Sequence, residues 1–146
     1  MTIRGMHHVS VVVEDLEAAK EFFVALGMEL EGEAPIEGGW VDRVNALDGV
    51  RVDIAMMRTP DGSGRLELTT FHHPAVVRAE PENALGNTLG LRSVMFAVDD
   101  IDATVTDLRA RGAELVGEVA QYEDIYRLCY VRGPAGIIVA LAEELS

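Results

Sequence analysis

The chain carries one pattern of residues twice, at a constant offset of 85 positions. His8-Val9-Ser10-Val11-Val12-Val13-Glu14-Asp15 aligns with Ser93-Val94-Met95-Phe96-Ala97-Val98-Asp99-Asp100. The match continues without a gap through Ala18 and Ala103, Ala25 and Ala110, Gly27 and Gly112, Glu29 and Glu114, Leu30 and Leu115, and Gly32 and Gly117. Two copies of one supersecondary unit, each too small to close a core alone, are expected to associate around a shared concave surface, where function should sit.

Each copy reads as a strand, a helix and three further strands. In the first, residues 6–13 alternate and are rich in Val, and Asp15 can cap a helix whose Leu16, Ala19, Phe23 and Leu26 fall at helical spacing. Gly27 supplies a left-handed stop. Strands are expected over 28–34, 50–58 and 65–71, with a loop through Pro35, Gly38, Gly39 and Trp40 holding at most one helical turn. The second copy predicts strands at 91–98, 114–120, 125–132 and 137–142, a helix over 100–111 and Gly112 as its stop. This divides the chain into a first βαβββ module (1–71), a connector (72–89) rich in turn-forming residues, and a second module (90–146).

Composition narrows the function classes. A formal net charge of −13 over 146 residues offers no basic patch to displace counterions from phosphates, which argues against nucleic acid and against anionic membranes. No apolar run approaches the ~18 residues of a membrane span and no signal peptide is legible, so a cytoplasmic location is expected. The single cysteine, Cys129, lies in an apolar run and reads as a small buried hydrophobe rather than a nucleophile.

Strand alternation gives the faces chemical meaning. Val9, Val11 and Val13 are expected under the helix, which leaves His8, Ser10 and Val12 on the cleft face. Leu66 and Leu68 belong to the core, turning Arg65, Glu67 and Thr69 to the cleft. In the second copy Ser93, Met95 and Ala97, with Ile138, Ala140 and Ala142, take the equivalent places. The cleft is therefore polar on its first half and apolar on its second. His8 and Glu67 stand out, because an imidazole and a carboxylate on neighbouring strands can ligate a divalent metal, with Zn, Mn, Fe, Co or Ni preferred over Ca. The same two residues are equally compatible with a hydrogen-bonded pair in a wet cleft.

Four segments resemble the vicinal oxygen chelate superfamily, which holds glyoxalases, epimerases, extradiol dioxygenases and antibiotic-resistance proteins. They are Met6 to Leu16, Thr59-Pro60-Asp61-Gly62 leading into Leu66-Glu67-Leu68, Val94 to Asp102, and Gly133 to Leu141. The resemblance spans essentially the whole chain. It implies an α+β fold of two tandem βαβββ modules forming a cupped, mostly antiparallel sheet around a shared cleft, and a homodimer. It also implies metal ligands on the first and last strand of each module. His8 and Glu67 match the first module's ligand positions, with Glu67 also in the catalytic role. Ser93 and Ala140 stand where the second module's ligands would be, so half of the usual site is missing.

Replacement ligands could come from Glu118, Tyr122, Glu123, Asp124 and Tyr126, or from His72 and His73. The acidic cluster reads more readily as a solvated turn, the paired histidines as a strand end, and His7 as a structural residue pointing away from His8. Ser10, Trp40, Thr69, Ser93, Met95 and Ala140 are the candidate contacts for a small molecule. Two functions follow from the resemblance. One is a metal-assisted lyase, epimerase or dioxygenase built on His8 and Glu67. The alternative is a metal-free protein that sequesters an antibiotic, as bleomycin-resistance members do, with Trp40 and the apolar half of the cleft as contacts.

Overall fold

Parallel pairing of the first and last strand in each half organises the chain. The structure, a computed structural model, describes residues 2–145. The first half runs β1 (Val9–Val12), α1 (Leu16–Leu26), β2 (Glu29–Glu37), α2 (Gly39–Asn45), β3 (Arg51–Arg58) and β4 (Arg65–His73). The second runs β5 (Ser93–Ala97), α3 (Ile101–Ala110), β6 (Ala120–Tyr122), β7 (Tyr126–Arg132) and β8 (Ile138–Glu144), with a 3₁₀ turn at Pro134–Gly136. Each half forms a four-stranded mixed sheet, ordered β1-β4-β3-β2 and β5-β8-β7-β6. The chain divides into two compact units, one ending at Arg78 and the other beginning at Ala79.

The repeat read in the sequence reappears at the helix ends. Asp15 Oδ1 accepts from the Ala18 N–H at 3.0 Å, and Asp100 Oδ1 accepts from the Ala103 N–H at 3.0 Å. Each carboxylate thereby satisfies a donor that the first helical turn leaves open. At the far ends, the Met28 N–H returns to the Phe23 carbonyl and the Ala113 N–H to the Leu108 carbonyl. Gly27 and Gly112 make these exits possible with φ of 119° and 94°. Phe23 and Leu108, which occupy equivalent positions, are 0% and 1% exposed.

Sheet register then sets the faces. Val9 pairs with Leu66 and Val94 with Val139. Val11, Val13, Leu66 and Leu68 are buried, while Ser10 and Val12 are exposed, as alternation requires. Because Ser10 pairs with Glu67 and Met95 with Ala140, the two halves carry chemically different pairs at the same point of the fold.

Three segments depart from the sequence expectation. The second strand continues through Pro35 to Glu37, because β2 is an edge strand and its missing N–H costs no ladder bond. The expected loop after it holds a seven-residue helix, α2, whose Val41 inserts beside Val50 and Val52 with Ile36, Ile54 and Phe71 packed around them. The Asp42 carboxylate accepts from the Gly49 and Val50 N–H groups at 3.0 and 2.8 Å, fixing the return into β3. In the second half, the strand expected at 114–120 is broken. The Arg132 N–H donates to the Glu114 carbonyl, Val116 donates to Tyr130, and regular pairing resumes only at Ala120.

Residues 82–84 are held against the last turn of the second unit. Arg132 donates to the Gly136 and Ala84 carbonyls at 2.9 and 2.7 Å. A Cβ at Gly136 would fall 2.4 Å from the Glu82 carbonyl oxygen, at a φ of 77° that also favours glycine.

Two substitutions in α1 should separate packing from capping. Phe23→Ala is expected to cost about 3–5 kcal/mol, because it empties a fully enclosed site. Asp15→Ala should cost only ~1 kcal/mol. Urea unfolding monitored by circular dichroism measures both.

Candidate functional site

The polar constellation lies in the first unit, on the sheet face opposite α1. β1 brings Ser10 to that face, β4 brings Glu67 and Thr69 beside it, and His8, just before β1, reaches Glu67. His8 Nε2 stands 3.5 Å from Glu67 Oε2, with both side chains about a quarter exposed. The other carboxylate oxygen, Oε1, accepts from the Thr69 hydroxyl at 3.2 Å and from the Ser10 hydroxyl at 3.4 Å. Thr69 is 6% exposed, so its hydroxyl must be satisfied internally, and Glu67 is the acceptor it finds. One oxygen of Glu67 is thus committed to the protein and the other is turned to His8.

His7 takes part where alternation predicts that it should not. Its Nδ1 lies 2.7 Å from His8 Nδ1, with the rings edge to face at 4.9 Å between centroids. The reading that His7 points away from His8 is therefore corrected. β1 begins only at Val9, so strand alternation does not govern His7 and His8. A proton on His8 Nδ1 donated to His7 leaves the lone pair of His8 Nε2 facing Glu67. In that tautomer the lone pair and the carboxylate oxygen, 3.5 Å apart, are two acceptors that call for a cation between them, whereas a proton donated from His7 to His8 Nδ1 leaves His8 Nε2–H facing Glu67 as a donor. The separation also suits two ligands of one ion, since bonds of about 2.0–2.2 Å at a near-tetrahedral angle place their donor atoms roughly 3.4 Å apart.

The equivalent positions of the second unit hold no such pair. Ser93 is exposed at the start of β5, Met95 is 53% exposed, and Ala140 is fully buried between Met95 on β5 and Tyr130 on β7. Glu118, Tyr122, Glu123 and Asp124 are exposed, and Tyr126 is half-buried opposite Tyr122. His72 Nε2 meets Asp53 Oδ2 at 2.8 Å, and His73 Nδ1 meets the Gly49 carbonyl at 2.9 Å, so both have structural partners. Among the described residues, no three His, Cys, Asp or Glu side chains form a group able to hold a metal ion. His8 and Glu67 supply two donors of the right kind and spacing. Trp40 sits on α2, 55% exposed, with its indole over Gly38 at the end of the edge strand β2. Cys129 is buried, and burial pushes its thiol above the ordinary range, which disfavours the thiolate.

The family model of the glyoxalase/bleomycin resistance protein/dioxygenase superfamily matches residues 5–141. The chain belongs to this superfamily. A solved structure of a glyoxalase family protein from Bacillus cereus is 51% identical, with a TM-score of 0.95, covering 100% of this chain and 97% of that one. The uncharacterized protein YaeR of Escherichia coli K12 is 27% identical over 143 residues, 97% of this chain and 98% of its own. TnmS3, an antibiotic binding protein from Streptomyces sp. CB03234, shares the fold at a TM-score of 0.58 and 20% identity, covering 98% of this chain and 99% of its own. The superfamily thus joins enzymes and binding proteins on one glyoxalase fold, built here from two α+β modules. Among the described residues, no helix is long and apolar enough to cross a membrane.

Two measurements test this geometry. His7→Ala should redistribute the His8 proton between its two ring nitrogens, seen in the imidazole ¹⁵N shifts; an unaltered tautomer ratio would remove His7 as an orienting group. Alkylation of Cys129 by iodoacetamide should be slow in the folded protein and should speed up in step with unfolding in urea.

Proposed function

We propose that this glyoxalase-superfamily protein is a metal-assisted enzyme acting on a small molecule with adjacent oxygen atoms, with His8 and Glu67 as its two protein ligands. The observation that carries this reading is the 3.5 Å approach of His8 Nε2 to Glu67 Oε2 with the remaining atoms of both side chains held elsewhere. A divalent ion of the Zn, Mn, Fe, Co or Ni type would polarise the substrate oxygens and favour charge developing on them. With only two protein donors, the other positions would fall to water and to the substrate, which makes substrate binding part of completing the site.

The chain's own residues supply the rest. His7, accepting the His8 Nδ1 proton, would hold His8 in the tautomer that presents the Nε2 lone pair. Ser10 and Thr69 hold Oε1 of Glu67, so the carboxylate cannot rotate without losing two hydrogen bonds. Glu67 Oε2 would hold the ion and, when released from it, would be the base able to take a proton from a carbon next to the substrate oxygens and to return it. We place the protein in the cytoplasm as a homodimer, in keeping with its superfamily, with no nucleic-acid or membrane partner.

A second reading has one observation in its favour. The second unit presents Met95 and Tyr130, 53% and 43% exposed, around Ala140, a surface with an apolar body and one phenol. Such a surface suits metal-free binding of an aromatic antibiotic, and TnmS3, which shares the fold, is an antibiotic binding protein.

Metal content of tag-free protein by plasma mass spectrometry tests the two readings. Near-stoichiometric metal in the wild type, lost in both His8→Ala and Glu67→Ala, is the expected result. Protein that stays metal-free after incubation with all five ions, and whose affinity for an aromatic ligand falls on Met95→Ala but not on Glu67→Ala, would replace the enzyme reading with sequestration.

A further inference from the structure

The strand beside Glu67 carries a guanidinium that the proposed chemistry has not used. Arg65 lies two residues before Glu67 on β4 and therefore shares its face. It reaches Glu31 on β2 through Nε alone, at 3.1 Å. Because β3 lies between β4 and β2, the Arg65 side chain spans β3, and its two terminal nitrogens are not engaged by Glu31.

Glu31 is there because the ladder is irregular at that point. Leu30 pairs with Met57 and Gly32 with Met56, so Glu31 is the extra residue of a bulge. A bulge re-aims a side chain, and such irregularities are over-represented beside active sites. Here it turns a carboxylate onto the face of Arg65 and Glu67. Arg58, opposite Arg65 on β3, is paired toward the same edge strand by Glu29 at 3.3 Å. In a chain with a net charge of −13 and only 12 Lys and Arg residues, two arginines are thus adjacent on the face that bears His8 and Glu67.

We propose that Arg65, oriented by the bulged Glu31, binds an oxyanion group of the substrate, a carboxylate, phosphate or phosphonate, so that the molecule handled at His8 and Glu67 is a small acid. The chemistry follows from the geometry. A guanidinium fixed at Nε offers its terminal N–H groups as a fork, and the fork matches two oxygens of one oxyanion. Strand spacings put this fork roughly 8 Å from the Glu67 carboxylate, a distance that a few bonds of a small molecule can bridge. Exposure matters as well: Arg65 is 38% exposed, accessible to a ligand yet restrained on one side. The inference deepens the proposed enzyme reading by naming the substrate class, and its test runs without metal.

The test titrates chelator-treated, full-length protein with inorganic phosphate and, separately, with acetate, following the backbone amide shifts of Met56 and Glu67 and the heat of binding. Saturable binding is expected in the wild type and in His8→Ala. It should weaken by about tenfold or more in Arg65→Met, and by less in Arg65→Lys and Glu31→Gln, which keep a cation but lose the oriented fork. A response to acetate alone assigns a carboxylate, and a response to phosphate alone a phosphate or phosphonate. No saturable response to either anion, or equal affinity in Arg65→Met, overturns the inference. Metal binding without anion binding would sink the anion site and leave the metal site standing; anion binding in a protein that takes no metal would do the reverse.

Discussion

The parallel pairing of β1 with β4 is the constraint on which the rest depends. Its register, Ser10 against Glu67, lays an imidazole-bearing segment beside a carboxylate-bearing strand with both groups on one face. A shift of one residue would turn every side chain of β1 to the other face. Burial guards against that slip, because Val11 and Val13 would be moved out of the core and off the buried Leu66 and Leu68. Packing under α1 and chemistry at Glu67 are therefore two faces of one register. The Phe23 ring and the Asp15 cap support the site indirectly by holding the helix that this register requires.

Duplication explains why the chain can be asymmetric. The second unit keeps the capping aspartate, the glycine stop and the parallel β5–β8 register, and it gives up the ionisable pair. Ala140 and Met95 occupy the places of Glu67 and Ser10, so the backbone is duplicated while the chemistry is not. A glyoxalase fold tolerates this because its sheets are held by alternating apolar positions facing the helices. The opposite face is free to vary, and one superfamily can hold both catalysts and binders.

Local charge in the first unit runs against the charge of the whole chain. Twenty-five acidic residues dominate the composition, yet around Glu67 two of them, Glu29 and Glu31, serve to position arginines. Net charge describes encounter and solubility, whereas recognition is set over a few ångströms by which groups are fixed and which donors remain open. An acidic protein with a small acid as its ligand is no contradiction on that scale.

Much of this was legible in the residues themselves. The repeat, both helix caps and the burial of alternate strand positions follow from periodicity and turn chemistry, which act over a few neighbouring residues. The contact of His7 with His8 was not legible, because those residues precede the regular strand and alternation says nothing about them. Nor was α2, whose helix is stabilised by Val41 entering a cluster assembled from β2, β3 and β4 and by the Asp42 carboxylate closing on Gly49 and Val50. The Glu31 bulge that aims Arg65 belongs to the same class, since a bulge exists only relative to a partner strand. The sequence by itself determined which residues face which way within each element. Only the tertiary structure decided which of them meet, because that depends on register between strands distant along the chain.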